Sequence, residues 1–524
     1  MKRSRNRETF AESIFSLMMS QVVVKILGLF YKLYLTNRDG FGDEGNAIAN
    51  GGFQIFALIL SIVGIGIPTA ISKLISETMA KGNYKGAYKI FKVALIIFST
   101  IGILGSFLLL KHADFFANNY LHIKETQLSI IALSPSIFLV SIISVLKGFF
   151  SGRKSIKGTA RAQSLEQLVK TIITVVMIEL SIIILKNTNT ELMAALSNLA
   201  TTLGNLVEFM YLYKMYKKEL PIIKQEIQNS SNKESLRIKD IVKNILMVAI
   251  PMSLTALIST ISKNIDSSTI VKDLTNLIGY EEAKMQYGIL SGKVDALINF
   301  PLSFNIAIVT ALLPAIASTG GNLKLQETRI NKSLMLALTI SIPITFFFCG
   351  FSDEILQFLF PNASSGGDIL KISSIAIIFI TIEQITNIIL NGLGKNFIPV
   401  KAITVGVIFK AVLNRILVHR IDLAFGGTMG AAIATLVCHL VTATISTVMV
   451  LKHSKIHIEL KSFTKPLGTG LIMICISRLT FILLQNKIDF RINFIISTAI
   501  AVGIVALMNL KKLTIANICN SEVK

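Results

Sequence analysis

Two lysines define the chemistry to look for. Lys25 and Lys32 lie in residues 14–36, IFSLMMSQVVVKILGLFYKLYLT, an apolar run long enough to cross a bilayer. A spanning helix needs about 20 apolar residues, and an ammonium near its centre costs roughly 2.5 to 3.5 kcal/mol to insert. Seven residues is nearly two helical turns, so both amines project from one face, about 10 Å apart along the axis. Facing a water-filled cavity, two such point charges suit a phosphate or pyrophosphate group. For Lys32, close to Leu35 and Thr36, snorkelling to the membrane surface is the competing reading.

Charges recur inside other apolar runs. Glu166 and Lys170 enter a span at i, i+4, just after the basic turn Gly152-Arg153-Lys154-Ser155-Ile156-Lys157-Gly158. An intrahelical pair in that order partly neutralises itself, and the functional alternative makes Arg153, Glu166 and Lys170 parts of a cytoplasmic gate. Lys263 and Asp266 lie one turn apart in a later span; Lys293 and Asp295 open the next, ahead of Asn299-Phe300-Pro301. Mutual pairing on burial is one account of these four, and a hydrated anion site or a cation-coupling carboxylate is the other. Glu383, Lys410, Arg415 and His439 also fall in or near spans.

The elements that must position these charges are helices in a membrane. The chain has 524 residues, 52% hydrophobic with mean hydropathy +0.65, and its apolar runs recur from one end to the other. Fourteen spans are expected between residues 14 and 510, giving an all-α polytopic membrane protein. The basic start, Lys2, Arg3, Arg5 and Arg7, leads into a segment too long for a signal-peptide core. Cys349, Cys438, Cys475 and Cys519 show no CxxC or Cys/His spacing, so no disulfide framework, metal or other cofactor is expected.

The net charge of +22 does not indicate nucleic acid, because of where it sits. The termini and alternate loops are strongly basic while the opposite loops are net acidic. That asymmetry predicts cytoplasmic N- and C-termini in a bacterial cell membrane.

The chain reads as two related halves. A polar, basic stretch at 214–243, with Pro221 and Gln228-Asn229-Ser230-Ser231-Asn232, separates an N-lobe at 1–213 from a C-lobe at 244–450, and residues 451–524 append two further helices. Ile67-Pro68-Thr69-Ala70-Ile71-Ser72 reappears as Leu313-Pro314-Ala315-Ile316-Ala317-Ser318, and Gly152-Arg153-Lys154 as Gly394-Lys395-Asn396. Six spans per half preserve orientation, which predicts parallel repeats about a pseudo-two-fold axis along the membrane normal. By analogy with transporters, a substrate path runs between the halves. Gly64, Gly66 and Pro68 predict a bend in the second span, where helices pack or a cavity opens.

At this point the residues resemble a family. The stretches Lys25-Ile26-Leu27-Gly28-Leu29-Phe30-Tyr31-Lys32, Gly66-Ile67-Pro68-x-Ala70-Ile71-Ser72-Lys73, Lys147-Gly148-Phe149-Phe150-Ser151-Gly152, Ser164-x-Glu166-Gln167-x-x-Lys170 and Asn391-Gly392-Leu393-Gly394-Lys395 are similar to the multidrug/oligosaccharidyl-lipid/polysaccharide exporter superfamily. Within it the chain resembles the stage V sporulation protein B and lipid II flippase group. The resemblance implies two six-helix lobes, two extra C-terminal helices, and alternating access that carries an undecaprenyl-pyrophosphate-linked sugar to the outer leaflet. It also implies that cations of the first and eighth helices grip the pyrophosphate: Lys25 and Lys32 match the first pair, and Lys293 with Asp295 falls near the eighth-helix site. Lys stands at 32, 147 and 170 where Arg is common in the family, and an ammonium cannot make a guanidinium's bidentate fork.

The expected function is therefore transport, with no enzymatic activity: translocation of a lipid-linked cell-wall precursor, for peptidoglycan, spore cortex or another polysaccharide. Its expected partners are that lipid-linked oligosaccharide, membrane lipids and cell-wall synthesis proteins. A cation-coupled multidrug exporter on the same fold would favour a carboxylate in the first helix, and residues 14–36 contain none. A membrane glycosyltransferase would favour metal-binding acids in a large outer loop, and no DxD occurs. Coupling to a monovalent cation or to the membrane potential is expected without a motif that fixes the ion; Asp266 and Asp295 are its candidate ligands.

Overall fold

In the computed structural model the regular elements among the described residues are all helical. Those residues are 10–64, 66–185, 189–230, 236–303, 305, 323–454 and 461–509. Among them, eleven helical segments are long and apolar enough to cross a membrane, counting 42–80 as one, and the chain is a multi-pass membrane protein. The span that Lys293 and Asp295 open lies partly outside the described residues, as do the repeat segment Leu313–Ser318 and Cys519.

The chain divides into two compact units, the first Met1–Tyr34 with Glu44–Ser268, the second Leu35–Asp43 with Thr269–Lys524. Unit 1 holds α1 (Phe10–Asn37) as far as Tyr34, then α2 (Gly42–Gly64), α3 (Gly66–Ala80), α4 (Tyr84–Lys111), α5 (Thr126–Gly152), α6 (Ile156–Leu185), α7 (Thr190–Gln228) and α8 (Ile238–Ile278) as far as Ser268. Gly40 and Gly42 take positive φ where α1 gives way to α2, a conformation that glycine adopts without strain. Asn83 caps α4 by accepting from the Gly86 N–H at 2.6 Å, and Asn189 caps α7 by accepting from Glu191 and Leu192.

The expected bend in the second span falls at Ile65, which lies outside the described residues, between the end of α2 at Gly64 and the start of α3 at Gly66. Pro68 lies in α3, two residues after Gly66. Ser253 of α8 donates to the Ile62 carbonyl at 2.8 Å. A Cβ on Gly66 would overlap Ser253 and the Ala249 carbonyl, so glycine is what lets α8 approach here. The core of unit 1 runs through α3, α4, α5, α7 and the start of α8, with Ile71, Ile75, Phe91, Phe149, Leu212 and Ile241 all buried.

The polar stretch at 214–243 is helical over most of its length, because α7 continues to Gln228 and α8 starts at Ile238. Ile223 is buried, and the Tyr88 and Tyr216 hydroxyls hydrogen-bond at 2.8 Å, so the extension of α7 is docked on unit 1.

Unit 2 holds the end of α8, α9 (Tyr280–Gly288), which runs on through a π-helical stretch at Ile289–Val294, then α10 (Leu323–Gly350), α11 (Ser352–Leu359), α12 (Gly367–Gly392), α13 (Phe397–Leu417), α14 (Gly427–Ser454), α15 (Lys461–Leu484) and α16 (Phe490–Asn509). Its core is built from Leu338, Ile342, Ile385, Leu390 and Val450 of α10, α12 and α14. The last two helices pack on the rest of the unit through Phe351, Phe481 and Phe494, and Arg478 pairs with Glu354 over that aromatic group.

Candidate anion site and the buried charges around it

The cationic face of α1 is held by polar anchors at its two ends. The Ser20 hydroxyl lies 2.8 Å from the Ala160 carbonyl and 2.7 Å from the Ser164 hydroxyl, and Tyr34 donates to Glu179 at 2.6 Å. Both anchors are on α6, so rotation of α1 about its axis is fixed and the two lysines are aimed.

Lys32 is 8% exposed and donates to the Asn50 amide oxygen of α2 at 3.3 Å. Lys25, two turns earlier, is half-buried, and the charge it feels is that of Lys263 on α8. Asn264 donates to the Gln54 carbonyl at 3.3 Å, which ties α8 to α2 and brings Lys263 to its place. Asp266, one turn on, is buried. Unit 1 therefore assembles Lys25, Lys32 and Lys263 from two helices, with the like charges of Lys25 and Lys263 interacting inside an apolar bundle. Such an arrangement favours an anion.

A second cluster joins α5, α6 and α7. Lys147 pairs with Glu208 at 2.8 Å, and Glu166 lies within the influence of Lys170, Glu208 and Lys147. The Lys170 ammonium sits over the Tyr31 ring at 5.0 Å and the Phe53 ring at 5.6 Å, against α1 and α2. Sequence reading paired Glu166 with Lys170 and missed Glu208, whose signal was an acid alone in the apolar run after residue 192.

Arg153 is elsewhere. It follows the last residue of α5, and its guanidinium bonds Glu226 at 2.8 Å and approaches Glu219 at 3.6 Å, both on the extension of α7. Lys170 is roughly 21 Å farther along α6 than the start of that helix, at 1.5 Å per residue. Of the three gate candidates, the structure brings Glu166 near Lys170 and gives Arg153 separate partners.

Lys293 and Asp295 belong to unit 2. Lys293 is fully buried in the π-helical stretch, and its ammonium donates to Asp43 at 2.9 Å, the Ala363 carbonyl at 2.6 Å and the Ser365 carbonyl at 2.8 Å. An ammonium has three donors, and all three are used. Asp295 is half-buried, two residues on. Farther along, Glu383 and His439 meet at 2.9 Å, Lys410 is buried in α13, and Arg415 approaches Asp273 at 3.6 Å.

Outside the spans, partial burial and the repulsion of Glu125 raise the Glu191 carboxyl above the ordinary range, against a smaller pull from Lys124. Burial and the neighbouring Tyr88 hydroxyl push the Tyr216 phenol above its usual range. Among the described residues no three His, Cys, Asp or Glu side chains are placed to hold a metal ion.

Both the sequence and the fold match known proteins. Residues 10–319 match the family described as polysaccharide biosynthesis protein. The lipid II flippase MurJ of Bacillus subtilis (strain 168) is 26% identical over 456 residues, 84% of this chain and 82% of that protein. Stage V sporulation protein B of the same organism is 26% identical over 477 residues, 90% of this chain and 88% of that protein. Among solved structures, a lipid II flippase MurJ in an inward closed conformation matches 95% of this chain and 99% of its own, with TM-score 0.67 and 16% identity. An inward-facing multidrug resistance MATE family transporter matches 85% of this chain and 98% of its own, with TM-score 0.62 and 16% identity.

Proposed function

The chain belongs to the polysaccharide biosynthesis protein family, within the superfamily that includes MurJ and MATE transporters, and from that premise we propose a flippase for an undecaprenyl-pyrophosphate-linked cell-wall precursor. Lipid II, or a close relative used in wall or cortex synthesis, fits these relatives best, since they include a lipid II flippase and, in fold, a multidrug resistance transporter.

The observation that carries the proposal is the placement of Lys25 and the buried Lys32 on one face of α1, with α8 tied to α2 at Asn264, the residue after Lys263. Moving a pyrophosphate through hydrocarbon strands its oxygens without partners, at several kcal/mol for each group. Three ammonium groups in a hydrated groove replace that lost water, while the polyprenyl tail stays in lipid. Because Lys293 has its donors committed to Asp43, Ala363 and Ser365, the gripping role is assigned to the lysines of unit 1.

In this reading both termini are cytoplasmic, following the basic loops, and the headgroup crosses by alternating access. Asp266, buried one turn from Lys263, is the proposed place where a monovalent cation or the membrane potential acts. A drug exporter would use a carboxylate in the membrane-crossing part of the first helix; residues 14–36 supply only lysines as charged groups, and Glu12 precedes them.

The test is growth rescue of cells depleted of their own lipid II flippase, at matched membrane expression. The expected result is rescue by the wild type and none by Lys25→Ala or Lys32→Ala. Rescue by all three proteins removes the lysine site; correct insertion without rescue by any of them removes lipid II as the substrate.

A further inference from the structure

Unit 2 buries an acid and an imidazole that the proposed headgroup site does not use. From residue 372 to the end of α12, Glu383 is the only charged side chain, and His439 is the only charged or imidazole side chain of α14 before Lys452. Either one alone is expensive inside a membrane. The fold brings them together: Glu383 is buried, the His439 side chain is 19% exposed, and Glu383 Oε2 lies 2.9 Å from His439 Nδ1.

The pair heads a polar line. Asn387 and Asn391 follow Glu383 at one and two turns of α12, and Ser446 follows His439 two turns along α14. Ser446 donates to the Asn387 amide oxygen at 3.3 Å, so the two rows meet along one helix contact. Asn391 is exposed at the end of α12. At 1.5 Å per residue the line runs about 12 Å from Glu383 to Asn391. The neighbouring face of α12 is apolar, with Ile385 and Ile389 packed in one core with Leu338 and Ile342 of α10. Under the expected topology, Asn391 is at the cytoplasmic end.

The charges on the surrounding elements are at other levels. α10 carries Lys324, Glu327, Arg329 and Lys332 in its first three turns. α13 crosses α14 where Gly406 lies against Cys438 and Thr442, and its buried charge, Lys410, is one turn farther. Asp353, Asp368 and Lys371 surround the first turns of α12, and Lys293 bonds the Ser365 carbonyl just before them.

A carboxylate and an imidazole in contact share one proton. With it the pair has no net charge, whichever atom carries the proton; without it, one negative charge is left inside the span. Gain or loss of that proton therefore changes the charge where α12 packs on α14, and with it the cost of keeping this contact dry.

We infer that Glu383 and His439 form a proton-binding site, loaded through the Asn387 and Asn391 line, whose occupancy biases the transport cycle. The proton is held between Nδ1 and Oε2 and leaves to water at the end of α12; no other bond forms or breaks. The inference rests on the transport reading above and adds an ion and its place in unit 2, separate from Asp266 in unit 1.

The test has two arms, both on the full chain. In nanodiscs, isotope-labelled histidine is followed by NMR, and His439→Gln identifies the His439 signal among the six histidines. That signal is expected to titrate across about pH 5 to 8, with the proton affinity of the ring about tenfold or more weaker in Glu383→Gln. In proteoliposomes, flipping of fluorescent lipid II is measured with a pH gradient imposed in either direction. The wild type is expected to respond to the direction, and Glu383→Gln and His439→Gln, with melting curves matched to wild type, are expected to lose that response. A His439 signal constant over the whole range in the wild type, an unchanged affinity in Glu383→Gln, or wild-type flipping that ignores the gradient overturns the inference and leaves the pair a packing contact. A wild type that does not flip lipid II at all counts against that substrate, and the histidine titration then decides the proton site.

Discussion

Buried lysines in the two units are treated in opposite ways. In unit 2, Lys293 is enclosed and meets a carboxylate and two carbonyls. In unit 1, Lys25 is half-buried on the same face of α1 as Lys32. The first arrangement is self-sufficient; the second places lysines of α1 and α8 near one another, a setting that favours an anion. Burial of a charge alone therefore says little about function, and the identity of its neighbours says much more.

The contrast breaks most visibly in transport. Lys25→Met is expected to lower flipping of a lipid-linked precursor at least a hundredfold in proteoliposomes, while the melting temperature stays equal or rises, because a like-charge interaction is relieved. A fall in both would make Lys25 structural, like Lys293.

The same contrast sharpens in stability. Asp43→Ala leaves the Lys293 ammonium buried without its carboxylate and is expected to cost about 3 to 5 kcal/mol. The double variant Asp43→Leu with Lys293→Met is expected to recover most of that loss, read as thermal unfolding in detergent. A mild single variant would show that the pair is dispensable.

Arg153→Ala is expected to be smaller, about 1 to 3 kcal/mol, since the Glu219 and Glu226 carboxylates lose a charged hydrogen-bond donor but keep access to water. The readout is limited proteolysis after residue 214, which should quicken as the extension of α7 loosens.

The smallest effect concerns Glu191. Its carboxyl is raised in the folded protein, so its protonated form is favoured there. Its contribution is present below the ordinary glutamate range and is lost as pH rises through the elevated value. Glu191→Gln should remove that slope and raise the neutral-pH melting temperature slightly, since water at the helix end screens much of the Glu125 repulsion.

Much of this was legible in the sequence. Apolar runs gave the helices because length and hydropathy decide whether a segment spans. Lys25 and Lys32 declared themselves by their position, since a charge in a span is rare. What stayed hidden was partnership across the chain. Lys293 and Asp43 are 250 residues apart, and no local pattern joins them. Glu219 and Glu226 looked like ordinary charges of a polar connection until α7 carried them to Arg153.

The most direct measurement of the central claim is flipping of fluorescent lipid II in proteoliposomes by the wild type, Lys25→Met, and the Asp43→Leu, Lys293→Met double variant. The account predicts transport by the wild type and by the double variant, and loss with Lys25→Met. Transport by Lys25→Met at the wild-type rate would contradict it.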